Sequence, residues 1–211
     1  MSSKINMSMQ NEDRLNILFL MKVFEVGGQE VVTATLADTF IKKGHQVVIA
    51  SFKQPNDMMV KRTNPAVRFY TIGDFKYSKE NVDVVRRILL ENHINVVINQ
   101  WGLPYVPCKV LNEAKEGMAV KTIAIYHNSP DTNARIKDVE IALSETHNPL
   151  KKAMLYAKMF AFTQITSRSM KYVYQHTDLY MVLSSSFVKK FKEFTGITHP
   201  SHLQVLTNPV T

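Results

Sequence analysis

Seven short apolar runs, separated by segments with helical patterns, constrain the fold of this 211-residue chain most strongly. The runs are rich in Leu and β-branched residues, and most of them are continuously apolar. A strand that is apolar on both sides is buried on both faces, as in a parallel sheet covered by helices. The predicted strands are Asn16–Met21, Val47–Ser51, Val67–Ile72, Ile94–Ile98, Thr122–Tyr126, Leu179–Leu183 and Leu203–Leu206.

The segments between the runs carry apolar residues at the spacing of one helix face. Glu30–Lys43 is a predicted helix that stops at Gly44, and Lys79–Asn92 and Val106–Glu116 repeat the scheme. Because strand and helix alternate, the chain is predicted to be α/β. We expect a Rossmann-like, doubly wound, mainly parallel sheet of about seven strands with helices on both faces.

Composition and the chain's ends exclude several classes of protein. The single cysteine, Cys108, excludes an internal disulfide and a Cys-cluster zinc site, and it favours a reducing compartment. The first fifteen residues lack the apolar core of a signal peptide, and no uncharged run is apolar enough to span a membrane. We therefore expect a cytoplasmic protein, with 1–13 as a flexible tail, 14–207 as one domain and 208–211 as the start of a linker.

The positive charge of the chain predicts an anionic partner. The formal net charge is +8. The segment from Glu145 to Pro200 contains eight Lys or Arg residues and only three acidic residues. A basic surface that serves only solubility is the alternative. No sequence that interleaves aromatic and basic residues for RNA binding is present, so we expect no nucleic-acid partner.

A long predicted helix, Pro149–His176, carries apolar residues nearly all round with lysines between them. Such a helix can lie on an anionic membrane surface, with peripheral attachment to its inner face. The alternative is a core helix whose lysines are simply solvated, because a helix that is apolar on all sides is more often buried.

Two glycines follow the first strand, in the segment Val26-Gly27-Gly28-Gln29-Glu30. Ligands of parallel sheets bind beyond the carboxyl ends of the strands, and a helix N-terminus attracts phosphate. The pair fits neither a Gly-x-Gly-x-x-Gly fingerprint nor a Walker A loop, so nicotinamide, flavin and P-loop sites are not predicted. A turn needed only for chain geometry remains an alternative, and Glu30 can simply favour the helix dipole.

His127 follows the strand Thr122–Tyr126 and is expected at the same edge of the sheet. An imidazole there can bond a phosphate or a hydroxyl, or transfer a proton. Asn128 and Arg135 share its loop, and Arg135 is either a phosphate ligand or a solvated charge. A histidine satisfied within the loop is the alternative for His127.

Ser184, Ser185 and Ser186 follow the strand Leu179–Leu183, and one of them is predicted to cap the next helix. No Gly-x-Ser-x-Gly elbow surrounds these serines, and nothing in the spacing supports a triad of Asp178, His127 and Ser184. A small hydrolase is therefore the weakest hypothesis. Metal-ligand spacing such as His-Glu-x-x-His is missing, so no metal is expected.

Four segments in this order resemble the N-terminal domain of the GT4-type glycosyltransferases, which have the two-domain GT-B fold. They are the 27–47 unit (Gly-Gly-x-Glu, then Leu36-Ala37, then Gly-His-x-Val), the His127 loop, the strand–Ser184–helix step and the final 205–210 segment with its Asn-Pro. The resemblance covers about residues 14–211 and implies one half of a GT-B enzyme. Where that family often has His-x-His, this chain has Asn99-Gln100-Trp101, and Trp101 could stack on a sugar.

The resemblance implies retaining, metal-independent transfer of a sugar from a nucleotide-sugar donor to a saccharide or lipid-linked acceptor, with no cofactor. The expected site residues are His127 as the catalytic group, Trp101 and Asn128 on the acceptor, and Gly27, Gly28, Glu30, Arg135 and Ser184 on the donor. Since the family's C-terminal donor domain is missing from the sequence, we expect this acceptor-side half to be inactive alone. The alternative function is a non-catalytic α/β module that binds a nucleotide or polyanion.

Overall fold

The computed structural model describes residues 14–131 and 134–206, and these form a seven-stranded parallel sheet. The strand order is β3-β2-β1-β4-β5-β6-β7. The strands are β1 (Asn16–Met21), β2 (Gln46–Ser51), β3 (Arg68–Thr71), β4 (Val96–Asn99), β5 (Lys121–Tyr126), β6 (Leu179–Val182) and β7 (Leu203–Val205). The predicted strands are confirmed, with shifts of one or two residues at their ends.

Seven helices connect the strands within the described residues. They are α1 (Gly28–Lys42), α2 (Asp57–Arg62), α3 (Lys79–Glu91), α4 (Tyr105–Ala114), α5 (Ala134–Glu145), α6 (Pro149–Gln175) and α7 (Ser185–Thr195). The sequence pattern did not predict α2 and α5, because α2 is a six-residue helix and α5 buries only Ile136 and Val139. Of the three serines that could cap α7, the structure identifies Ser184, whose side-chain oxygen accepts a hydrogen bond from the Ser186 amide.

The sheet is covered on both faces, which confirms the doubly wound prediction. On β1, Leu18 and Leu20 pack into one core cluster with residues of α3 and α4. The alternate residues Ile17, Phe19 and Met21 pack into a second cluster with residues of α1 and α2. The strand order reverses direction between β1 and β4, and a crevice opens at the carboxyl ends of strands at such a point.

Helix α6 is buried along one side and exposed along the other. Met170, Val173 and Tyr174 of its C-terminal half pack against β6 and α7. In its N-terminal half only Leu155 is fully buried, while Leu150 and Phe160 are 82% and 68% exposed. The prediction of a core helix therefore holds for the side of α6 that faces the domain, and mainly for its C-terminal half. Within the described part of the chain, no helix is both long and apolar enough to cross a bilayer.

The predicted tail (1–13) and linker (208–211) lie outside the described residues. The domain bounds at both ends stay predictions.

The loop after β4 is held against β5 at a glycine. The Gly102 amide donates to the Ile125 carbonyl at 3.0 Å, and the buried Tyr180 hydroxyl donates to the Gly102 carbonyl at 2.7 Å. A Cβ on Gly102 would lie 2.9 Å from the Ile125 backbone. This contact fixes the position of the adjoining residue, Trp101.

We expect Gly102→Ala to lower the free energy of unfolding by about 1–3 kcal/mol, because its methyl group would meet rigid backbone. Gly28→Ala is the matched control, since a Cβ there meets nothing within 4 Å. Urea unfolding followed by circular dichroism measures both. Equal midpoints for Gly102→Ala and the unchanged chain would show that the loop can move away from β5.

Candidate functional site

A cavity of about 610 Å³ lies at the carboxyl ends of the central strands, between the loops that follow them and helix α6. Four of the predicted site residues line it: Trp101, His127, Asn128 and Arg135. Gln29, next to the glycine pair, lines the same cavity. The start of α1, through Gln29, and the His127 loop therefore share one crevice, whereas Gly27 and Gly28 are not among its lining residues. Further lining residues include Lys22, Phe75, Gln100, Tyr105, Tyr126, Phe162, Ile165, Thr166 and Ser169.

The glycine pair has two different surroundings. A Cβ on Gly28 would meet no atom within 4 Å, so a ligand can approach the backbone there. A Cβ on Gly27 would lie 2.5 Å from Oε2 of Glu30, so the Glu30 carboxyl group packs over that glycine. Burial raises the pKa of Glu30. Glu30 does not line the cavity; its side chain supports the turn before α1.

Ser184, the fifth predicted donor residue, does not line the cavity either. It follows β6, two strands away from β4 in the sheet, and its side-chain oxygen is engaged at the start of α7.

His127 is a neutral, largely buried imidazole. Desolvation lowers its pKa to about 4, so the ring carries no charge at pH 7. Its Nε2 lies 2.6 Å from Oε1 of Gln100. An amide oxygen only accepts, so Nε2 donates and Nδ1 is left as a hydrogen-bond acceptor. His127 can thus receive a hydrogen bond from a ligand hydroxyl rather than offer a fixed positive charge to a phosphate.

Gln100 links three parts of the site, and the sequence argument treated it only as a departure from a family pattern. Its side chain bonds His127, and its backbone carbonyl accepts from Nε2 of Gln29 at 2.5 Å. It is 1% exposed, and its own Nε2 has no hydrogen-bond partner among the described residues. A buried donor without a partner lowers the stability of the fold by about 1–3 kcal/mol. Such groups are rare in native structures and can indicate a functional role. A polar residue at the end of a buried strand is the signal that could have found it.

Trp101 belongs to a cluster that sequence reasoning did not detect. Its ring meets Phe75 edge to face, with centroids 5.9 Å apart. The Lys22 ammonium lies 4.9 Å from the Trp101 centroid and 5.2 Å from that of Phe75. The three residues follow β1, β3 and β4, so only the strand order brings them together.

The proposed hydrolase triad cannot form. Asp178 precedes β6, and its Oδ2 accepts from the Thr122 amide and hydroxyl, both at 2.8 Å, at the amino end of β5. His127 and Ser184 lie beyond the carboxyl ends of their strands, on the opposite edge. This geometry rules out a catalytic triad of Asp178, His127 and Ser184.

Two hydrogen-bonded contacts hold the walls of the cavity. Ser169 of α6 donates to the Leu103 carbonyl at 2.8 Å and accepts from the Tyr105 amide at 2.9 Å, which ties α6 to the loop after β4. Asp131 accepts from Lys190 of α7 at 3.2 Å, which ties the His127 loop to that helix. Across residues 14–131 and 134–206, no group of three or more His, Cys, Asp or Glu side chains could hold a metal ion.

Comparison with known proteins identifies the family. The model of Glycosyltransferase Family 4 matches residues 26–211. The chain belongs to glycosyltransferase family 4. No curated protein sequence matches it.

This family 4 domain is similar in fold to HepE from Anabaena, solved in complex with UDP. The TM-score is 0.55 at 13% identity, and the match covers 92% of this chain and 44% of HepE. HepE in complex with UDP and glucose gives a TM-score of 0.54 at 12% identity, covering 92% and 45%. The chain therefore spans less than half the length of these structures. The expected fold, one Rossmann-like half of a GT-B architecture, is confirmed.

The low pKa of His127 makes stability depend on pH. The unfolded chain binds a proton near the ordinary pKa of 6.5 and the folded chain only near 4, so stability falls as pH drops through this window. Between about pH 7.5 and about pH 4.5, the charging of this one group should lower the free energy of unfolding by about 2–3 kcal/mol. His127→Gln should lose that part of the pH dependence in urea unfolding.

His147→Gln is the control, because His147 is exposed and outside the cavity. Its free energy of unfolding should change with pH in the same way as that of the unchanged chain. A His127→Gln curve parallel to the unchanged one would contradict the burial of a neutral imidazole.

Proposed function

We propose that this chain is the acceptor-side half of a retaining, metal-independent glycosyltransferase. A sugar would pass from a nucleotide-diphosphate donor to an acceptor hydroxyl. The bond from the anomeric carbon to the diphosphate breaks, a bond to the acceptor oxygen forms, and the hydroxyl proton leaves with the diphosphate or solvent. The observation that carries the proposal is the shared crevice, in a family 4 domain, of the α1 N-terminus, His127 and Trp101.

The residues divide between donor and acceptor by position. The open backbone at Gly28 and the positive end of α1 suit the donor phosphates, and Arg135 adds a positive charge at the cavity. Trp101 and Asn128 lie on the acceptor side. His127 would orient a substrate hydroxyl through Nδ1, with Gln100 holding the ring.

Glu30, Gly27 and Ser184 play supporting parts in this proposal. Glu30 packs over Gly27, and Ser184 caps α7, so they shape the loops that flank the donor. HepE holds UDP in one structure and UDP with glucose in another, which supports a nucleotide-sugar donor for this chain.

A panel of nucleotide sugars, assayed by nucleotide release, tests the activity. The protein is this chain together with whatever its gene encodes after residue 211, compared with residues 1–211 alone. We expect turnover only when a donor domain is attached. His127→Ala should lower kcat by about 100-fold or more, the usual loss when one oriented polar group is removed from a reaction centre.

His147→Ala is the matched control, and its kcat should stay within about twofold of the unchanged protein. Nucleotide binding without any turnover across the panel would instead favour the non-catalytic module.

A membrane-bound acceptor is the second part of the proposal, and the outer face of α6 supports it. Exposed apolar residues follow one another along that face for about 24 Å: Leu150, Ala153, Met154, Ala157, Phe160, Ala161 and Ile165. Lys151 and Lys158 are exposed on the same half, and α6 contains no acidic residue. Apolar side chains flanked by lysines match the headgroup region of an anionic membrane.

This face lies beside the cavity, since Phe162 and Ile165 of α6 line it. A lipid-linked acceptor in the membrane would therefore reach the cavity directly. We propose peripheral attachment at the cytoplasmic side of the membrane.

Flotation with vesicles tests the attachment. The chain should float with vesicles containing about 30% phosphatidylglycerol and stay behind with pure phosphatidylcholine. Phe160→Glu should lower the floated fraction at least about fivefold, because it puts a negative charge into the apolar face. Leu90→Glu, at similar exposure on α3, is the control and should float normally. Equal flotation of the two variants would contradict attachment through α6.

A further inference from the structure

The cavity contains a positive charge that the proposed chemistry does not use. Lys22 stands directly after β1, and its ammonium is held over the rings of Phe75 and Trp101 at 5.2 and 4.9 Å. Lys22 takes part in none of the ion pairs within residues 14–131 and 134–206. A lysine that is partly buried, rests on two aromatic faces and has no carboxylate partner within this described part of the chain can bind a negative charge from a ligand.

The rest of the cavity supports the same conclusion. Among the residues that the structure describes, no Asp or Glu lines the cavity, and His127 is neutral there. Arg135 is the other charged lining residue. An anion that enters therefore meets positive charge and no repulsion, in surroundings less screened than open water.

Lys22 contacts Trp101, the residue that the proposed function assigns to the acceptor. It contacts the aromatic residues that follow β3 and β4, whereas Arg135 begins α5 and lies near the His127 loop. Trp101 and Phe75 provide apolar edges on which a sugar ring can rest. A negative group carried on that ring would then reach the ammonium.

We propose that the acceptor is an anionic saccharide, with a carboxylate or phosphate substituent that Lys22 binds beside Trp101. This inference rests on the proposed function and names the class of acceptor for the same site. Charge-assisted hydrogen bonds of this kind favour the charged ligand by about tenfold or more over a neutral one of the same shape.

Trp101 makes the test direct, because it is the only tryptophan of the chain. Its fluorescence is titrated with octyl β-D-glucuronide and octyl β-D-glucoside, both below micelle-forming concentrations. The two probes differ only at C6, which is a carboxylate in the glucuronide and a hydroxymethyl group in the glucoside. We expect the glucuronide to bind at least about tenfold more tightly.

Lys22→Met should remove that preference and leave glucoside binding within about twofold, because Met keeps an apolar chain on the rings and loses the charge. Lys109→Met is the matched control. Lys109 also lies over an aromatic ring, that of Tyr77 at 3.8 Å, but outside the cavity. It should keep the preference for the glucuronide. Urea midpoints of both variants show that they are folded.

Inorganic pyrophosphate distinguishes the two sources of an anion, the acceptor and the donor. If Lys22→Met weakens the binding of pyrophosphate as much as the binding of the glucuronide, Lys22 binds the donor phosphates and the inference is wrong. Equal binding of glucuronide and glucoside overturns the inference and leaves the proposed function intact. Binding of neither glycoside overturns the acceptor assignment of the cavity, and the inference with it.

Discussion

The parallel direction of all seven described strands is the constraint on which the site depends. In a parallel sheet, each loop that leaves a strand's carboxyl end lies on the same edge. The glycine turn, the Trp101 loop and the His127 loop therefore lie together, although they are far apart in the chain. Because helices cover both faces of the sheet, the strands are continuously apolar. The polar side chains therefore lie in the loops at the edge of the sheet.

The bond between His127 and Gln100 shows how burial sets the chemistry of that edge. The imidazole is too desolvated to carry a charge, and one of its nitrogens is already bound. The positive charge of the cavity comes instead from Lys22 and Arg135. In the proposed function, His127 orients a hydroxyl while Lys22 and Arg135 bind anions, which suits a reaction with a charged donor and a sugar acceptor.

Helix α6 connects this chemistry to the outside of the domain. One side of it completes a core cluster, Ser169 ties it to the Trp101 loop, and its outer face remains apolar and basic. In the sequence, a helix with two such sides shows apolar residues at nearly every position around its axis. Its net charge and composition cannot show which side is covered, because that depends on where α5 and α7 pack.

The sequence by itself determined the alternation of strands and helices, the edge of the sheet at which the cavity lies, and the positions of the glycine turn and His127 after their strands. These depend on local periodicity and on residues directly after strands, so they are readable along the chain. Only the tertiary structure decided that Glu30 packs on Gly27, that Asp178 lies at the far edge and that Lys22 meets Phe75 and Trp101. Contacts between distant residues follow from strand order and side-chain burial, and no local pattern encodes them.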